Sequence, residues 1–270
     1  MEIRFIANDG FLIEISNKKI LIDALFGGVE SDWCVLPSRE VIGCMEKGTE
    51  PFDRIDVILI THSHFDHFNP EIVLKHLESN EAGILICPEQ VRLELEKDKR
   101  YDQVSARVME ITPKLDGRYE SIDVKGVNIK VWRLKHGPFY MEDPETGRKY
   151  NKHKDVENLG FVIEVDHKRI FHGGDWGYAG RGKKANPLEE EEIDVAFLGM
   201  GAYWRLYGPD SRVIAEDTKP GHIVLMHIPT TFNLEELPEE EKKMISKTTV
   251  FRSPMEIKRI TDWKNKRPTS

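Results

Sequence analysis

The chain has 270 residues, of which 39% are hydrophobic and 32% are charged, and its formal net charge is -8. These proportions allow a buried core, and no apolar run is long enough to cross a bilayer, which excludes a membrane protein. The negative charge disfavours a broad nucleic-acid-binding surface, although a local basic patch leaves nucleic acid open as a secondary partner. The first residues resemble no export signal and the three cysteines form no CxxC pattern, so we expect a cytoplasmic protein with reduced thiols.

Short runs of β-branched and aromatic residues, separated by turn residues such as the Asn-Asp-Gly at 8–10, predict strands throughout the chain. The first three runs follow one another closely and predict an antiparallel meander. The predicted strands cover residues 2–7, 10–16, 19–24, 57–60, 83–87, 119–124, 127–134, 160–165, 169–173, 195–199 and 223–227.

Two helices are predicted from capping signals. Asn69 before Pro70 is typical of a helix start, and this helix should end near Ser79. Residues 253–256 form a capping box that predicts a second helix, whose apolar positions recur at helical spacing. These positions are Ile257, Ile260 and Trp263.

The order of the predicted elements indicates the fold class. Meanders mixed with strand–helix–strand units are typical of an α/β fold in which two sheets pack face to face and helices cover the outer surfaces. No linker or low-complexity segment divides the sequence. We therefore predict a single domain over residues 1–270, in which residues 228–270 form a helical C-terminal extension.

The densest group of potential metal ligands is the sequence THSHFDH at 61–67, which follows a predicted strand and precedes the first predicted helix. In an extended loop His62 and His64 project to the same side, and the turn into the helix brings Asp66 and His67 to a second position. A chance match to HxHxDH is expected about once in a thousand such sequences. The motif therefore predicts a site for two adjacent metal ions.

The HxHxDH loop after a strand resembles the metallo-β-lactamase superfamily of metal-dependent hydrolases. Four further elements of that family occur in the expected order, each at or just after the end of a predicted strand. They are Asp23, His136, Asp175 and His227. The resemblance implies a four-layer αββα sandwich in which Asp23 braces the metal-binding loop.

The same resemblance implies a set of metal ligands. By this analogy one metal is held by His62, His64 and His136, and the other by Asp66, His67 and His227, with Asp175 between them. Imidazole and carboxylate ligands suit zinc, which we expect, and they also suit manganese or iron.

Two divalent metal ions imply a hydrolase that needs no serine or cysteine nucleophile. A metal-bridged hydroxide would attack the substrate, because the pKa of bound water can fall to about 7, and Asp66 or Asp175 would hold and pass on the proton. We expect a small anionic lactone, ester or phosphodiester as the substrate, since no large insertion separates the motifs. Residues 194–230 look most like the branch that contains ascorbate phosphate lactonases.

Two enzyme alternatives remain open. A metal-dependent nuclease or RNA phosphodiesterase of this superfamily usually has an inserted arm or domain, for which the interval between His136 and Asp175 leaves no room. A mononuclear iron oxygenase that acts on a thiol would keep the same motif, and metal content would distinguish it. A binding module without catalysis is disfavoured because no ligand of the motif set is missing.

Aromatic residues just beyond the ligand-bearing strands are candidates for the walls of a substrate pocket, although packing explains them equally well. They are Tyr140, Trp176, Tyr203 and Trp204. His153 lies in a polar stretch at 142–158 that resembles a flap, where it could act as an acid or contact substrate, but a solvated loop histidine is the simpler interpretation. For His172 we expect packing or hydrogen bonding.

Overall fold

The computed structural model describes residues 1–115, 117–177, 187–207 and 220–261. Within these residues the strands form two seven-stranded sheets and one small hairpin. The strands of the first sheet, in spatial order, are β16 (Ile257–Arg259), β1 (Glu2–Ala7), β2 (Gly10–Ile15), β3 (Lys18–Ile22), β4 (Val57–Leu59), β5 (Ile84–Cys87) and β6 (Val108–Glu110).

The second sheet has the same number of strands in the described residues. Its strands, in spatial order, are β15 (Thr249–Val250), β14 (His222–Met226), β13 (Val195–Gly199), β12 (Lys168–His172), β11 (Asn158–Val165), β8 (Val127–Leu134) and β7 (Glu120–Val124). The remaining strands, β9 (Tyr140–Glu142) and β10 (Lys149–Asn151), form a separate hairpin between β8 and β11.

Each large sheet begins with antiparallel strands and continues with parallel ones. In the first sheet β1, β2 and β3 are antiparallel neighbours, whereas β3 to β6 run parallel. In the second sheet β7, β8, β11 and β12 are antiparallel, and β12 to β15 run parallel. The parallel strands of a sheet therefore present their carboxyl ends at one edge, where α/β folds place their sites.

Helices cover the outer face of each sheet. The helices are α1 (Arg39–Lys47), α2 (Pro70–Ser79), α3 (Glu89–Leu95), α4 (Tyr101–Val104), α5 (Pro187–Glu190), α6 (Met200–Tyr207) and α7 (Glu239–Ile245). Apolar side chains of α1 to α4 pack on the first sheet, and those of α5 to α7 pack on the second.

The alternation of side chains along a strand explains these layers. In β13, Val195 and Phe197 point into the core between the sheets, whereas Ala196 and Leu198 pack on the side of the helices. Both faces of this strand are therefore apolar, as expected for a strand buried on two sides. The predicted αββα arrangement is confirmed.

Most predicted elements are confirmed. Every predicted strand is present, with ends that differ by at most two residues. The helix that begins after Asn69 is also present, because the Asn69 side chain accepts hydrogen bonds from the amides of Glu71 and Ile72 and so satisfies two free donors of the first turn. Cys34, Cys44 and Cys87 are free thiols, as expected.

The predicted helix that begins at Ser253 is wrong. Residues 257–259 are the edge strand β16, which pairs antiparallel with β1. The carboxylate of Glu256 accepts a hydrogen bond from the amide of Arg252, and Met255 has a φ of +66°, so the polar motif caps a turn. Pairing with the open edge of β1 outweighs the local capping signal. Trp263 lies outside the described residues.

Several elements carried no clear signal in the sequence. Helices α1, α3, α4 and α6 were not predicted, and the polar stretch at 142–158 contains the β9–β10 hairpin. The segment from residue 228 to 261 contains α7, as well as one strand of each large sheet, so it is only partly helical. Of the helices in the described ranges, none has the length and apolarity required to cross a membrane.

Candidate metal centre

Loops at one edge of the two sheets bring the predicted ligands together. Each ligand follows the carboxyl end of a strand, and the β1–β2 turn reaches the same edge because β1 runs parallel to β3. The contributing segments are the β1–β2 turn, the loop after β3 with Asp23, the loop after β4 at 61–67, and the ends of β8, β12 and β14 with His136, Asp175 and His227.

Asp23 holds the metal-binding loop in place from a fully buried position. Its carboxylate accepts hydrogen bonds from the amide of Thr61 at 2.7 Å, from the hydroxyl of Thr61 at 2.6 Å, and from Nδ1 of His67 at 2.9 Å. These contacts bind both ends of the loop to the end of β3. The structure thus places Asp23 in contact with both ends of the loop at 61–67, as a bracing role would require.

One set of ligands consists of His62, His64, His136 and Asp175, and is called here the three-histidine group. The potential ligand atoms all lie within 4.8 Å of one another. Nε2 of His62 is 3.0 Å from Nδ1 of His64, and Nε2 of His136 is 3.2 Å from Oδ2 of Asp175. The structure therefore brings together the histidines predicted for the first metal.

A second set, called here the carboxylate-rich group, consists of Asp9, Asp66, His67, His227 and the shared Asp175. Oδ1 of Asp175 lies 3.4 Å from Nε2 of His67 and 3.3 Å from Nε2 of His227. Oδ2 of Asp66 lies 3.4 Å and 3.6 Å from the same two atoms. The sequence predicted all of these ligands except Asp9, whose Oδ2 is 3.5 Å from Nε2 of His67.

Asp175 faces both groups because the loop after β12 is tightly packed. Oδ1 of Asn158 accepts a hydrogen bond from the amide of Asp175, and its side-chain amide donates to the carbonyl of Gly173, both at 3.0 Å. Gly174 has a φ of +54°, and a Cβ there would lie 2.5 Å from Oδ1 of Asn158 and 2.7 Å from Oγ1 of Thr61. This loop conformation requires glycine.

Hydrogen bonds select the histidine tautomers that suit metal binding. The Thr61 hydroxyl donates to Asp23 and so accepts from Nδ1 of His62, at 3.0 Å. Nδ1 of His136 donates to the carbonyl of Gly137 at 2.8 Å, as Nδ1 of His67 does to Asp23. In each ring Nε2 is left to ligate a metal, which is the arrangement that orients ligating histidines.

The carboxylates of the second group attract positive charge. Burial lowers the pKa of His227, but Asp175 and Asp9 outweigh it and raise the pKa to about 10. Burial likewise opposes the charged form of His67, whose pKa is nevertheless raised well above its usual value by Asp66 and Asp175. Burial raises the pKa of Asp9 well above the usual range, although His227 and His67 oppose this shift. Without a metal, protons on the two imidazoles offset this negative charge.

His62 and His64 of the three-histidine group behave in the opposite way. Burial, reinforced by His67, lowers the pKa of His62 well below its usual value. Burial and the neighbouring His136 lower the pKa of His64 to about 4. These imidazoles are neutral at pH 7, and a neutral imidazole is the form that ligates a metal.

Unpaired polar atoms show that the residues fit a bound cation. Both carboxylate oxygens of Asp9, Nε2 of His67 and Nε2 of His136 are buried and have no hydrogen-bond partner in the described structure. Buried polar groups are ordinarily paired, and each unpaired one costs about 1–3 kcal/mol. A divalent cation held by each group would give these four atoms a partner.

A cavity of about 250 Å³ opens beside the candidate ligands. His136, Asp175 and His227 form part of its wall, together with Arg205 of α6. His153 also lines it, 4.3 Å from the ring of His136 by centroids, and its Nδ1 donates to the carbonyl of Gly137. His153 is thus placed beside the site by the polar stretch that was predicted to form a flap.

The structure supports substrate contact for only one of the four predicted aromatic residues. Trp176 lines the cavity, although its ring also packs in the core of the second sheet. Tyr203 is buried and donates a hydrogen bond to the carbonyl of Met244, and Trp204 packs against the same core. Tyr140 is 67% exposed on β9 and does not line the cavity.

Other aromatic residues lie closer to the ligands. The Trp33 ring is 5.6 Å from that of His227 and 6.0 Å from that of Phe65, between centroids. Phe139 stacks on His153 at 5.5 Å. These side chains are exposed in long loops, and their positions depend on contacts between distant segments, so spacing along the sequence could not indicate them.

Comparisons with known proteins agree with this geometry. Residues 18–232 match the sequence profile described as the β-lactamase superfamily domain. A protein of Pyrococcus abyssi named as a metal-dependent hydrolase is 24% identical over 246 residues, which cover 91% of this chain and 92% of that protein. One from Pelotomaculum thermopropionicum with the same description is 26% identical over 250 residues and covers 92% and 93% of the two chains.

Solved structures show the same fold at low sequence identity. A possible metal-dependent hydrolase from Veillonella parvula superposes with a TM-score of 0.59 and 15% identity, covering 95% of this chain and 98% of that one. The metallo-β-lactamase fold protein YhfI from Bacillus subtilis superposes with a TM-score of 0.55 and 12% identity, with coverage of 95% and 98%.

Proposed function

Because this chain belongs to the β-lactamase superfamily, we propose that it is a metal-dependent hydrolase of small, anionic lactones, esters or phosphodiesters with two divalent cations at its centre. One observation carries the proposal: the two ligand groups share Asp175, whose Oδ2 faces His136 and whose Oδ1 faces His67 and His227. A carboxylate in this position can bridge two adjacent cations.

The donor sets support zinc in at least the three-histidine group. Three imidazoles with one carboxylate are ligands that suit zinc, and they also suit iron. When bound, two cations would lower the pKa of a coordinated water to about 7 and polarise the scissile carbonyl or phosphoryl oxygen. No serine or cysteine nucleophile is required for such a reaction.

The chain's own residues would position the substrate and handle protons. Asp66 lies beside both histidines of the carboxylate-rich group and also accepts a hydrogen bond from the side chain of Asn8 at 2.8 Å. Together with Asp175 it can take up the proton of the attacking water and pass it to the leaving group. His153 borders the cavity with Nδ1 engaged by Gly137, which leaves Nε2 available to a substrate.

The cavity favours a small anionic substrate. A volume of about 250 Å³ is slightly smaller than the usual range for ligand sites. Arg205 lines it and donates to the carbonyl of Gly177 at 3.2 Å, which fixes a cation at its wall. A guanidinium there can pair with a carboxylate or phosphate of the substrate. The small volume does not favour a polynucleotide.

Matched substitutions test the proposal. In the site, His64→Asn and Asp66→Asn should each lower metal content and reduce hydrolysis by at least about 100-fold, because each removes a ligand. The controls are His167→Asn and Asp166→Asn in the β11–β12 turn, where both residues have positive φ values that asparagine tolerates. These controls should keep full metal content and activity.

Elemental analysis and a panel of lactone, ester and phosphodiester substrates provide the measurements. Two metal ions per chain and turnover of at least one small anionic ester are expected for the unmodified protein. Unchanged metal content and turnover in both site variants would refute the assignment. If the protein instead binds one iron per chain and consumes oxygen, the hydrolase proposal fails and the oxygenase alternative takes its place.

A further inference from the structure

We propose that Asp9, a turn residue outside the HxHxDH motif, is an additional ligand of the cation in the carboxylate-rich group. This inference rests on the proposed metal-dependent function and deepens it. With Asp9, the group offers three carboxylates and two imidazoles, whereas the three-histidine group offers one carboxylate and three imidazoles. The two positions would therefore differ in the metals that they prefer.

Asp9 occupies an unusual position for a turn aspartate. It lies in the two-residue turn between β1 and β2 and is fully buried. Turn aspartates ordinarily accept hydrogen bonds from nearby backbone amides. Within the part of the chain that the structure describes, both carboxylate oxygens of Asp9 instead lack a hydrogen-bond partner, and Oδ2 lies 3.5 Å from Nε2 of His67. The side chain is directed at the ligands rather than at its own turn.

The backbone around Asp9 is fixed from two sides. Nε2 of the buried His172 donates a hydrogen bond to the carbonyl of Asp9 at 3.1 Å, while Nδ1 of His172 accepts from the amide of Gly174. On the other side a Cβ at Gly10 would lie 2.8 Å from the carbonyl oxygen of Asp23, so glycine allows the turn to approach that residue closely. His172 thus has the hydrogen-bonding role expected from the sequence.

Charge explains why an acidic residue at this position needs a cation. A buried carboxylate without a partner is strongly unfavourable, so it is retained where a positive group compensates it. Among the described residues, Asp9 is one of four carboxylates at the centre that are at most partly exposed, and two divalent cations would carry a matching charge of four. The four are Asp9, Asp23, Asp66 and Asp175.

The donor set indicates the class of cation. Carboxylate oxygens favour harder ions such as Mn²⁺, and imidazole suits Zn²⁺ and Fe²⁺ as well. A position with three carboxylates should accept Mn²⁺ or Fe²⁺ more readily, relative to Zn²⁺, than the three-histidine group does. We therefore expect Asp9 to influence both the affinity of the second cation and its selectivity.

Asp9→Asn is the direct test, with Asp166→Asn as its matched control. Both aspartates lie in two-residue turns between antiparallel strands, but Asp166 is exposed and its carboxylate accepts a hydrogen bond from Ser16. Mn²⁺ and Zn²⁺ would be titrated calorimetrically into metal-free protein, and bound metal would be counted by elemental analysis. Asp9→Ser repeats the measurement with a smaller side chain in case Asp9→Asn does not fold.

In Asp9→Asn we expect the first cation to bind as in the unmodified protein and the second to bind about 10- to 100-fold more weakly, with a larger loss for Mn²⁺ than for Zn²⁺. Thermal unfolding gives an independent readout. Without metal, the variant should unfold at the same or a higher temperature, because an unpaired buried carboxylate is gone. Added metal should then raise that temperature less than in the unmodified protein.

The outcomes separate this inference from the proposed function. Equal affinity for the second cation in Asp9→Asn and the unmodified protein would overturn the role of Asp9 while leaving the metal centre intact. If the unmodified protein binds no divalent cation, the proposed function itself fails. A metal-free Asp9→Asn that is markedly less stable than the unmodified protein would show that Asp9 supports the turn, and would also overturn the inference.

Discussion

Replacing Gly174 with alanine tests how closely the loop that carries Asp175 is packed. The φ of +54° at this residue costs an alanine about 1–2 kcal/mol in the left-handed region. The new Cβ would also lie 2.5 Å from Oδ1 of Asn158 and 2.7 Å from Oγ1 of Thr61. Overpacking of this kind costs about 1–3 kcal/mol more. The expected loss in free energy of unfolding is therefore about 2–5 kcal/mol.

Gly126 provides a control with the same backbone requirement and no contact. It lies in the turn between β7 and β8 with a φ of +77°, and no atom of the described residues lies within 4 Å of a Cβ placed there. Gly126→Ala should lose only the backbone contribution of about 1–2 kcal/mol. The difference between the two variants isolates the contacts with Asn158 and Thr61.

Urea denaturation of both variants without metal, followed by metal titration, measures the two consequences. The Cβ of Gly174→Ala would press on Oδ1 of Asn158, which accepts a hydrogen bond from the amide of Asp175. This variant should therefore also bind metal more weakly, whereas Gly126→Ala should not. A loss of stability in Gly174→Ala no greater than that in Gly126→Ala would refute the packing argument. Unchanged metal affinity would refute the link between this loop and the position of Asp175.

Three further predictions concern Asp23, His76 and the removal of metal. Asp23→Asn should weaken metal binding about 10- to 100-fold, as measured by competition with a chromophoric chelator, because an amide cannot accept all three hydrogen bonds from Thr61 and His67. Burial lowers the pKa of His76, so the folded state favours the neutral ring. The stability that this neutral ring confers is therefore present above pH 6.5 and is lost as the pH falls below that value. The advantage of the unmodified protein over His76→Gln in urea denaturation should therefore shrink as the pH falls from 6.5 to 5.5; an advantage that does not change would contradict this. Removal of metal by a chelator should lower the melting temperature, since a cation at 100 times its dissociation constant stabilises the folded state by about 2.7 kcal/mol, and an unchanged melting temperature would argue against a bound cation.

Helix α2 and the C-terminal segment show where prediction of the fold from sequence succeeds and where it fails. The cap at Asn69 agrees with the structure because the cap and the apolar face of α2 favour the same conformation. The motif at 253–256 is an equally clear local signal, yet the chain there forms β16 because β1 offers it an unpaired edge. Whether such an edge exists is decided by the whole sheet, and no local pattern contains that information.

The clustering of the candidate ligands was predictable for a related reason. Those of the HxHxDH motif are close together in sequence, and His136, Asp175 and His227 each follow a clear apolar strand. Tyr203 and Trp204 also follow a strand, so their place in the sequence resembles that of the candidate ligands. Their side chains nevertheless pack towards the core, because the helix α6 begins there and sets their direction. Position after a strand indicates the correct edge of the sheet, whereas the direction of a side chain depends on the element that follows.

Asp9 shows what topology adds to such an argument. As part of Asn-Asp-Gly it is fully explained by a turn, and its sequence context contains no sign of a metal site. Once β1, β2 and β3 are recognised as a meander, however, the turn between β1 and β2 must lie at the edge where β3 ends, beside Asp23. An acidic residue in such a turn, next to Asp23, would be close enough to contact a metal ion held by the candidate ligands. The candidate ligands of this chain are therefore the residues that meet at one edge of the sheets. A search that uses only the spacing of known motifs would omit a ligand that comes from a turn, such as the one between β1 and β2.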